Sequence, residues 1–296
     1  MISRFVGAVI DAQQRWADPF GEWAQRVLRA IFSPVRWLKD LLHGTWLGHA
    51  LHPFITDVPV GAFTVAVVLD VWTRDEASFA VRTAADITIA VGLLGMLGAI
   101  LTGLADYTDT DAKPARRVAT LHGLLMLVAF VLYAIALGAR LAQPPEASRT
   151  GAVALSFVAY AIVLVAAYLS GDLVFKFGNM VDRHAFRSFG AKWVALDVTQ
   201  LAENTPTQAK ADAQSLLVVR RGERVFALHD TCAHAGCDLS GGTVVGDAIE
   251  CPCHGSRFRL DTGRVVRGPA TFDQPAYEVR SSDGRIEVRS RRASGD

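Results

Sequence analysis

Charge is scarce in this chain. Lys, Arg, Asp and Glu make up 20% of its 296 residues and nearly cancel, leaving a net charge of +1. Nucleic acid demands a concentrated basic field, so that class of partner is excluded. The polar stretch 190–296 is no exception, because its basic and acidic side chains balance. No internal repeat or low-complexity tract stands out. A secretory signal is not expected either: FVGAVI (5–10) is too short an apolar stretch, and no small-residue cleavage site follows it. Cysteine is scarcer still. There are four, all within DTCAHAGC (230–237) and ECPCHGSRF (250–258).

Apolar residues are what the chain has in abundance, 51% of it, and they are unevenly spread. A helix crossing a bilayer needs roughly 20 mostly apolar residues, because it rises about 1.5 Å per residue through about 30 Å of hydrocarbon. Four segments have that length: 54–73, 84–105, 118–139 and 150–171. The small residues of GLLGMLGAILTG (92–103) suit close helix packing in lipid. The expected architecture is therefore two-part. An interfacial amphipathic arm (1–46) leads to an α-helical transmembrane four-helix bundle (47–172). A linker (173–191) then joins it to a C-terminal all-β domain (192–292). The arm carries Trp16, Trp23, Trp37 and Trp46 among spaced arginines. That pattern suits helices lying in the membrane interface, and equally an amphipathic helix packed on protein.

Four spans place both termini on one face. Most Lys and Arg lie on that face, including Arg29, Lys113, Arg116, Arg117, Arg183 and Arg187; the opposite face has Arg74, Arg82, Arg140 and Arg149. The positive-inside rule then puts both termini and the polar domain in the cytoplasm of a multi-pass protein.

Beyond residue 190 the pattern becomes short and alternating: KWVALD (192–197), SLLVVRR (215–221), RVFALHD (224–230), YEVRS (277–281) and RIEVRS (285–290), the last two joined by Ser-Asp-Gly. These read as antiparallel strands, with the cysteine stretches in loops between them. The spacing is Cys232-x-His234, then Cys251-x-x-His254. Each tight loop aims one thiolate and one imidazole at a common point. Two thiolates on one iron and two neutral imidazoles on the other make a Rieske-type 2Fe–2S centre. A zinc finger would separate Cys pairs from His pairs rather than alternate them, and an all-cysteine cluster would need C-x₄-C-x₂-C.

CAHAGC and CPCHGS resemble the two cluster-binding boxes of the Rieske family, and the likeness extends over about 190–290, through GGT (241–243), CHGSRF (253–258) and GPA (268–270). The resemblance implies that Cys237 and Cys253 form the disulfide of cytochrome bc-type members, which soluble Rieske ferredoxins usually lack; two free thiols are the alternative. Disulfides are uncommon in cytoplasm. Either the link is shielded beside the cluster or the orientation is reversed. Gly255, Ser256, Phe258 and Pro269 are expected to tune the cluster. The hydroxyl of Ser256 matches one that donates to a cluster sulfide in relatives, and Phe258 stands where high-potential relatives often carry a tyrosine. His234 and His254 are expected at the tip of the domain, where an iron-bound imidazole can exchange a proton with oxidation state. The region from about 45 to 185, with HPFITDVPVG, GLADY and TLHG, resembles an uncharacterised family of four-span bacterial membrane proteins, which places the chain in a bacterial plasma membrane.

His52 and His122 open the first and third spans on the same face, with Asp57 and Asp106 near by in sequence. Ionisable groups within a bilayer are costly and mark functional sites by default. Two facing imidazoles could ligate haem b or hydrogen-bond a quinone; a structural role at the interface is the alternative. The expected function is membrane-anchored electron transfer between a quinol or haem and a redox protein partner. The alternatives are a ferredoxin-like electron supply to an oxygenase system and a redox-sensing cluster. No separate substrate-transforming site is seen: no histidine follows His254 to build a mononuclear iron centre. Homo-oligomerisation stays open.

Overall fold

The structure, a computed structural model, describes residues 2–72, 79–144, 148–185, 190, 192–282 and 284–290. Arg74, Arg187 and the Asp of the Ser-Asp-Gly turn, all used in the sequence reading, lie outside the described residues. The chain divides into two compact units, Met1–Arg36 with Leu51–Asn179 and Trp37–Ala50 with Met180–Asp296.

The first unit is helical. After α1 (Ile2–Ala12) and α2 (Gln14–Phe32), and with α3 (Arg36–His43) intervening in the chain, come α4 (Leu51–Trp72), α5 (Phe79–Tyr107), α6 (Lys113–Ala142) and α7 (Thr150–Phe175). The last four are long and apolar enough to cross a membrane. They coincide with the expected spans but extend beyond them at most ends, because the final turns carry polar residues that a hydropathy reading trims. Their packing is inverted relative to a water-soluble bundle. Ala85, Ile89, Gly92, Met96 and Ala99 line the buried stripe of α5, and Ala152, Ser156, Ala159, Val163 and Ala166 that of α7. Val65, Val68, Leu94, Leu101, Ile135 and Leu164 point outward. Small residues at the seams and large apolar ones outside are the arrangement that lipid favours. The glycines of α5 act as expected: a Cβ at Gly95 would sit 2.8 Å from Val58, and one at Gly103 would sit 2.8 Å from the His52 ring. The Phe63 and Tyr133 rings stack at 3.8 Å between Gly92 and the neighbouring helices.

Two charged clusters hold this unit, and the sequence reading found neither. At one end Arg140 is 1% exposed, donates to both carboxylate oxygens of Asp70 (2.6 and 2.8 Å) and to Ser156 (2.9 Å), and meets Asp86 at 3.5 Å. Arg149 closes on the other oxygen of Asp86 at 2.7 Å. The cluster ties α4, α5, α6 and α7 together. At the other end Arg117 is bidentate to Asp18 and reaches Asp11, Arg116 pairs with Glu22, and Gln25 donates to the carbonyls of Tyr107 and Thr110. These bonds lay the inner face of α2 on the bundle while Trp16, Phe20, Trp23, Val27 and Ile31 stay exposed on its outer face. The orientation count treated Arg29, Arg116, Arg117, Arg140 and Arg149 as bare positive charges, whereas all five are in ion pairs.

The second unit is antiparallel β. One sheet has the order β1-β10-β9-β4-β3-β2, formed by β1 (Val194–Ala195), β2 (Thr207–Ala211), β3 (Gln214–Arg221), β4 (Arg224–His229), β9 (Ala276–Ser282) and β10 (Arg285–Ser290). The other has four short strands in the order β5-β6-β7-β8, namely Thr243–Val245, Ala248–Glu250, Arg257–Arg259 and Val265–Arg267. Strand β3 reads SLLVV without alternation because both its faces are covered. Leu217 and Val219 join a core with Leu228, Ile249 and Phe258, while Leu216 and Val218 join one with Tyr277 and Val288. The second sheet was not visible in the sequence, since three-residue strands have too little periodicity to read. Residues 37–50, most of them within the expected 1–46 arm, cluster with the β unit rather than with α1 and α2.

Candidate metal centre

Two loops project the cysteines. The first leaves β4 at His229 and carries Cys232, His234 and Cys237; the second joins β6 to β7 and carries Cys251, Cys253 and His254. Each loop folds back on its own backbone. The amides of Gly236 and Gly255 donate to Cys232 O (2.9 Å) and Cys251 O (3.1 Å), both with positive φ (+86° and +75°), which only glycine adopts without strain. The Cys237–Cys253 disulfide joins the two loops, its Cα atoms 6.5 Å apart.

The donors come as two pairs. Cys232 and Cys251 are free thiols, 1% and 2% exposed, and share a hydrogen bond. That bond, aided by backbone amides of Cys253 and His254, holds the Cys251 thiol down at about 6, while it and burial push Cys232 well up. The two sulfurs thus lie within hydrogen-bond reach of each other, close enough to serve as ligands to one metal ion. The His234 and His254 rings lie 4.8 Å apart, nearly perpendicular. Among the described residues no three or more His, Cys, Asp or Glu converge as on a single ion. A sulfur pair and an imidazole pair on loops tied together are the donor set of a two-iron centre with thiolates on one iron and imidazoles on the other.

Ser256 is fully buried, and its Oγ accepts from the Ala270 amide at 3.0 Å, so its hydrogen remains available to a further acceptor. Pro269 follows a cis bond from Gly268 in the same loop. Phe258 is fully buried in the core beneath the site. The sequence reading missed three supports. Gln274, 1% exposed, accepts from the Ala233 amide (2.9 Å) and donates to the carbonyls of His229 and Thr231 (2.6 Å each). Asp230, completely buried, holds the Ser240 amide (2.7 Å), Ser240 Oγ (3.0 Å) and Gln208 (2.6 Å). From segment 37–50, Asp40 accepts from the Gly268 amide at 3.1 Å, and a Cβ at Gly268 would meet that carboxylate at 2.9 Å. Only Asp230 had a local signal, its place beside the first box; the others come from far along the chain.

In the helical unit, His52 and His122 do meet, their rings 6.4 Å apart. Asp106 is the carboxylate within electrostatic reach of His52. Asp57, five residues beyond His52 in α4, is exposed.

Comparison with known proteins agrees with this geometry. The family model described as Rieske [2Fe-2S] domain matches residues 192–278, and that described as predicted membrane protein (DUF2231) matches 48–183. Ferredoxin CarAc of Metapseudomonas resinovorans is 39% identical over 27% of this chain and 74% of its own length. The anthranilate 1,2-dioxygenase ferredoxin subunit of Burkholderia cepacia is 33% identical over 33% of this chain and 92% of its own. The cytochrome b6-f complex iron-sulfur subunit of Chlorobaculum tepidum is 36% identical over 25% of this chain and 39% of its own. A 2Fe–2S cluster is thereby the cofactor of the β unit. With two relatives matched over most of their length and both thiol–imidazole boxes in place, the chain belongs to the Rieske family, its iron–sulfur domain joined to a four-helix domain of the DUF2231 membrane family.

Proposed function

We propose that this chain is a membrane-anchored one-electron carrier. Cys232 and Cys251 would hold one iron of the cluster, and His234 and His254 the other. When bound, the cluster supplies reversible one-electron transfer, with a potential in the Rieske range of about −150 to +300 mV. The observation that carries the reading is the pairing of two buried thiols with two imidazoles on loops clamped by Cys237–Cys253. The protein's own part is to fix both loops. Gln274 and Asp230 anchor the first, the disulfide ties it to the second, and Ser256, whose oxygen accepts from the Ala270 amide, keeps a hydroxyl hydrogen to give. The electron source in this reading is a membrane quinol or haem, and the acceptor is a redox protein. The charge bias favours a cytoplasmic head.

A second reading has a specific observation in its favour. Two of the relatives named above are ferredoxins, one of them a dioxygenase subunit, so an oxygenase system is the alternative electron acceptor. The disulfide favours the first reading, since the resemblance attaches that pair to bc-type proteins. Full-length protein in native membranes distinguishes them. Quinol-driven reduction of a rhombic EPR signal is expected. Reduction only by NAD(P)H with a soluble reductase would overturn the quinol reading in favour of the oxygenase one. Reporter fusions at the C-terminus test the orientation, and activity of a periplasm-specific reporter would reverse it.

A further inference from the structure

The imidazole pair of the helical unit has an arrangement that the iron–sulfur chemistry does not use. His52 is the second residue of α4, and His122 lies in the third turn of α6. His52 Nδ1 lies 2.9 Å from Ala99 O, and His122 Nδ1 lies 2.9 Å from Ala166 O. A carbonyl oxygen only accepts, so both Nδ1 atoms carry the proton. Both Nε2 atoms are then lone-pair donors, and neither has a hydrogen-bond partner among the described residues. Fixing the tautomer through an Nδ1–H bond to a carbonyl is how proteins present an imidazole to a metal. Thr102 reinforces it, its Oγ 3.1 Å from His52 Nδ1 and itself donating to Gly98 O.

The spacing narrows the ligand. With a metal–nitrogen bond of about 2.0–2.1 Å and a ring centre about 1.1 Å behind its nitrogen, two imidazoles on opposite sides of one ion have centroids about 6.3 Å apart. The observed separation is 6.4 Å, with the rings at 89°. A bare divalent ion wants three or four protein ligands; the pair supplies two, and Asp106, the carboxylate in electrostatic reach of His52, is not grouped with both rings as a third ligand among the described residues. Two axial imidazoles suffice when the other four nitrogens arrive with the cofactor, as in a porphyrin. A quinone carbonyl would need an N–H donor, and both N–H groups are already given to the main chain. Neither ring is sealed in the bundle, and a Cβ built on Gly123, next to His122, would touch nothing within 4 Å. The geometry points to a bis-imidazole haem b site formed by His52 and His122.

The inference stands apart from the iron–sulfur reading, and the two are read out by different signals. The full chain is produced in a bacterial host supplied with a haem precursor, purified in detergent, and assayed by pyridine haemochrome, optical difference spectrum and EPR. About one b-type haem per chain with a low-spin spectrum is expected. His52→Ala and His122→Ala are each expected to lower haem content or its low-spin fraction at least tenfold, with the rhombic iron–sulfur signal kept as proof of folding. His122→Gly with added imidazole is expected to restore the low-spin spectrum. Should a variant fail to accumulate, His52→Gln and His122→Gln, which keep a polar side chain, replace it with the same expectation. Protein with a full complement of cluster and no haem overturns the inference, as does haem that survives both substitutions or stoichiometric quinone extracted in its place.

Discussion

Removing the Ser256 hydroxyl tests the link between one side chain and the redox property. Ser256 is completely buried, and its oxygen already accepts from the Ala270 amide at 3.0 Å, which directs its hydrogen elsewhere. If that hydrogen serves a cluster sulfide, its bond strengthens on reduction, when the cluster gains a negative charge. A hydrogen bond to a charged group contributes about 1.5–3 kcal/mol, equivalent to about 65–130 mV for a one-electron couple. Part of the bond exists in the oxidised state too, so Ser256→Ala is expected to lower the midpoint by about 60 mV. It also leaves the buried Ala270 amide without its acceptor, at a cost of about 1–3 kcal/mol in stability. The assay is an EPR-monitored redox titration of full-length protein beside thermal loss of the visible signal. A midpoint moved by less than about 20 mV, or moved upward, with the cluster fully assembled would refute the hydroxyl's role.

Further outcomes follow from the supports around the site and the bundle. Gln274→Ala removes three hydrogen bonds from the first loop; about 2–4 kcal/mol of stability should be lost and cluster release accelerated, read by bleaching on dilution into chelator. Reducing Cys237–Cys253, or replacing both with serine, frees a loop with a sequence separation of 16; chain entropy puts the loss at about 3 kcal/mol, and an unchanged melting temperature would mean that the link stabilises nothing. Arg140→Ala leaves Asp70 buried beside a vacated position and should cost about 3–5 kcal/mol in detergent thermal stability. The double replacement Arg140→Met with Asp70→Leu should recover most of it, because the charges then leave together.

Legibility in the sequence was uneven, for physical reasons. Transmembrane helices satisfy their own backbone and meet lipid, so length and hydropathy alone identified α4 to α7. Helix ends need tertiary partners to become visible: Arg116 and Arg117 look like loop charges until Asp11, Asp18 and Glu22 of the preceding helices come into view. The metal boxes were plain because ligand identity and spacing are local, and each loop carries both a thiol and an imidazole. Gln274 and Asp40 were invisible because a hydrogen-bonding side chain that reaches a loop from far away has no local signature.

By itself the sequence determined the four spans, the β character of the C-terminal domain and the set of donor residues, because hydrophobic length, alternation and ligand spacing are all short-range properties. Tertiary structure alone decided which distant groups meet. It brought Asp70, Asp86 and Arg140 into one buried cluster, and it set the His52 and His122 rings 6.4 Å apart. It also set the tautomers of His52 and His122 through carbonyls of other helices. The cause is common to these cases: burial makes an unpaired polar group expensive, and the partner that relieves the cost is found in space, not along the chain.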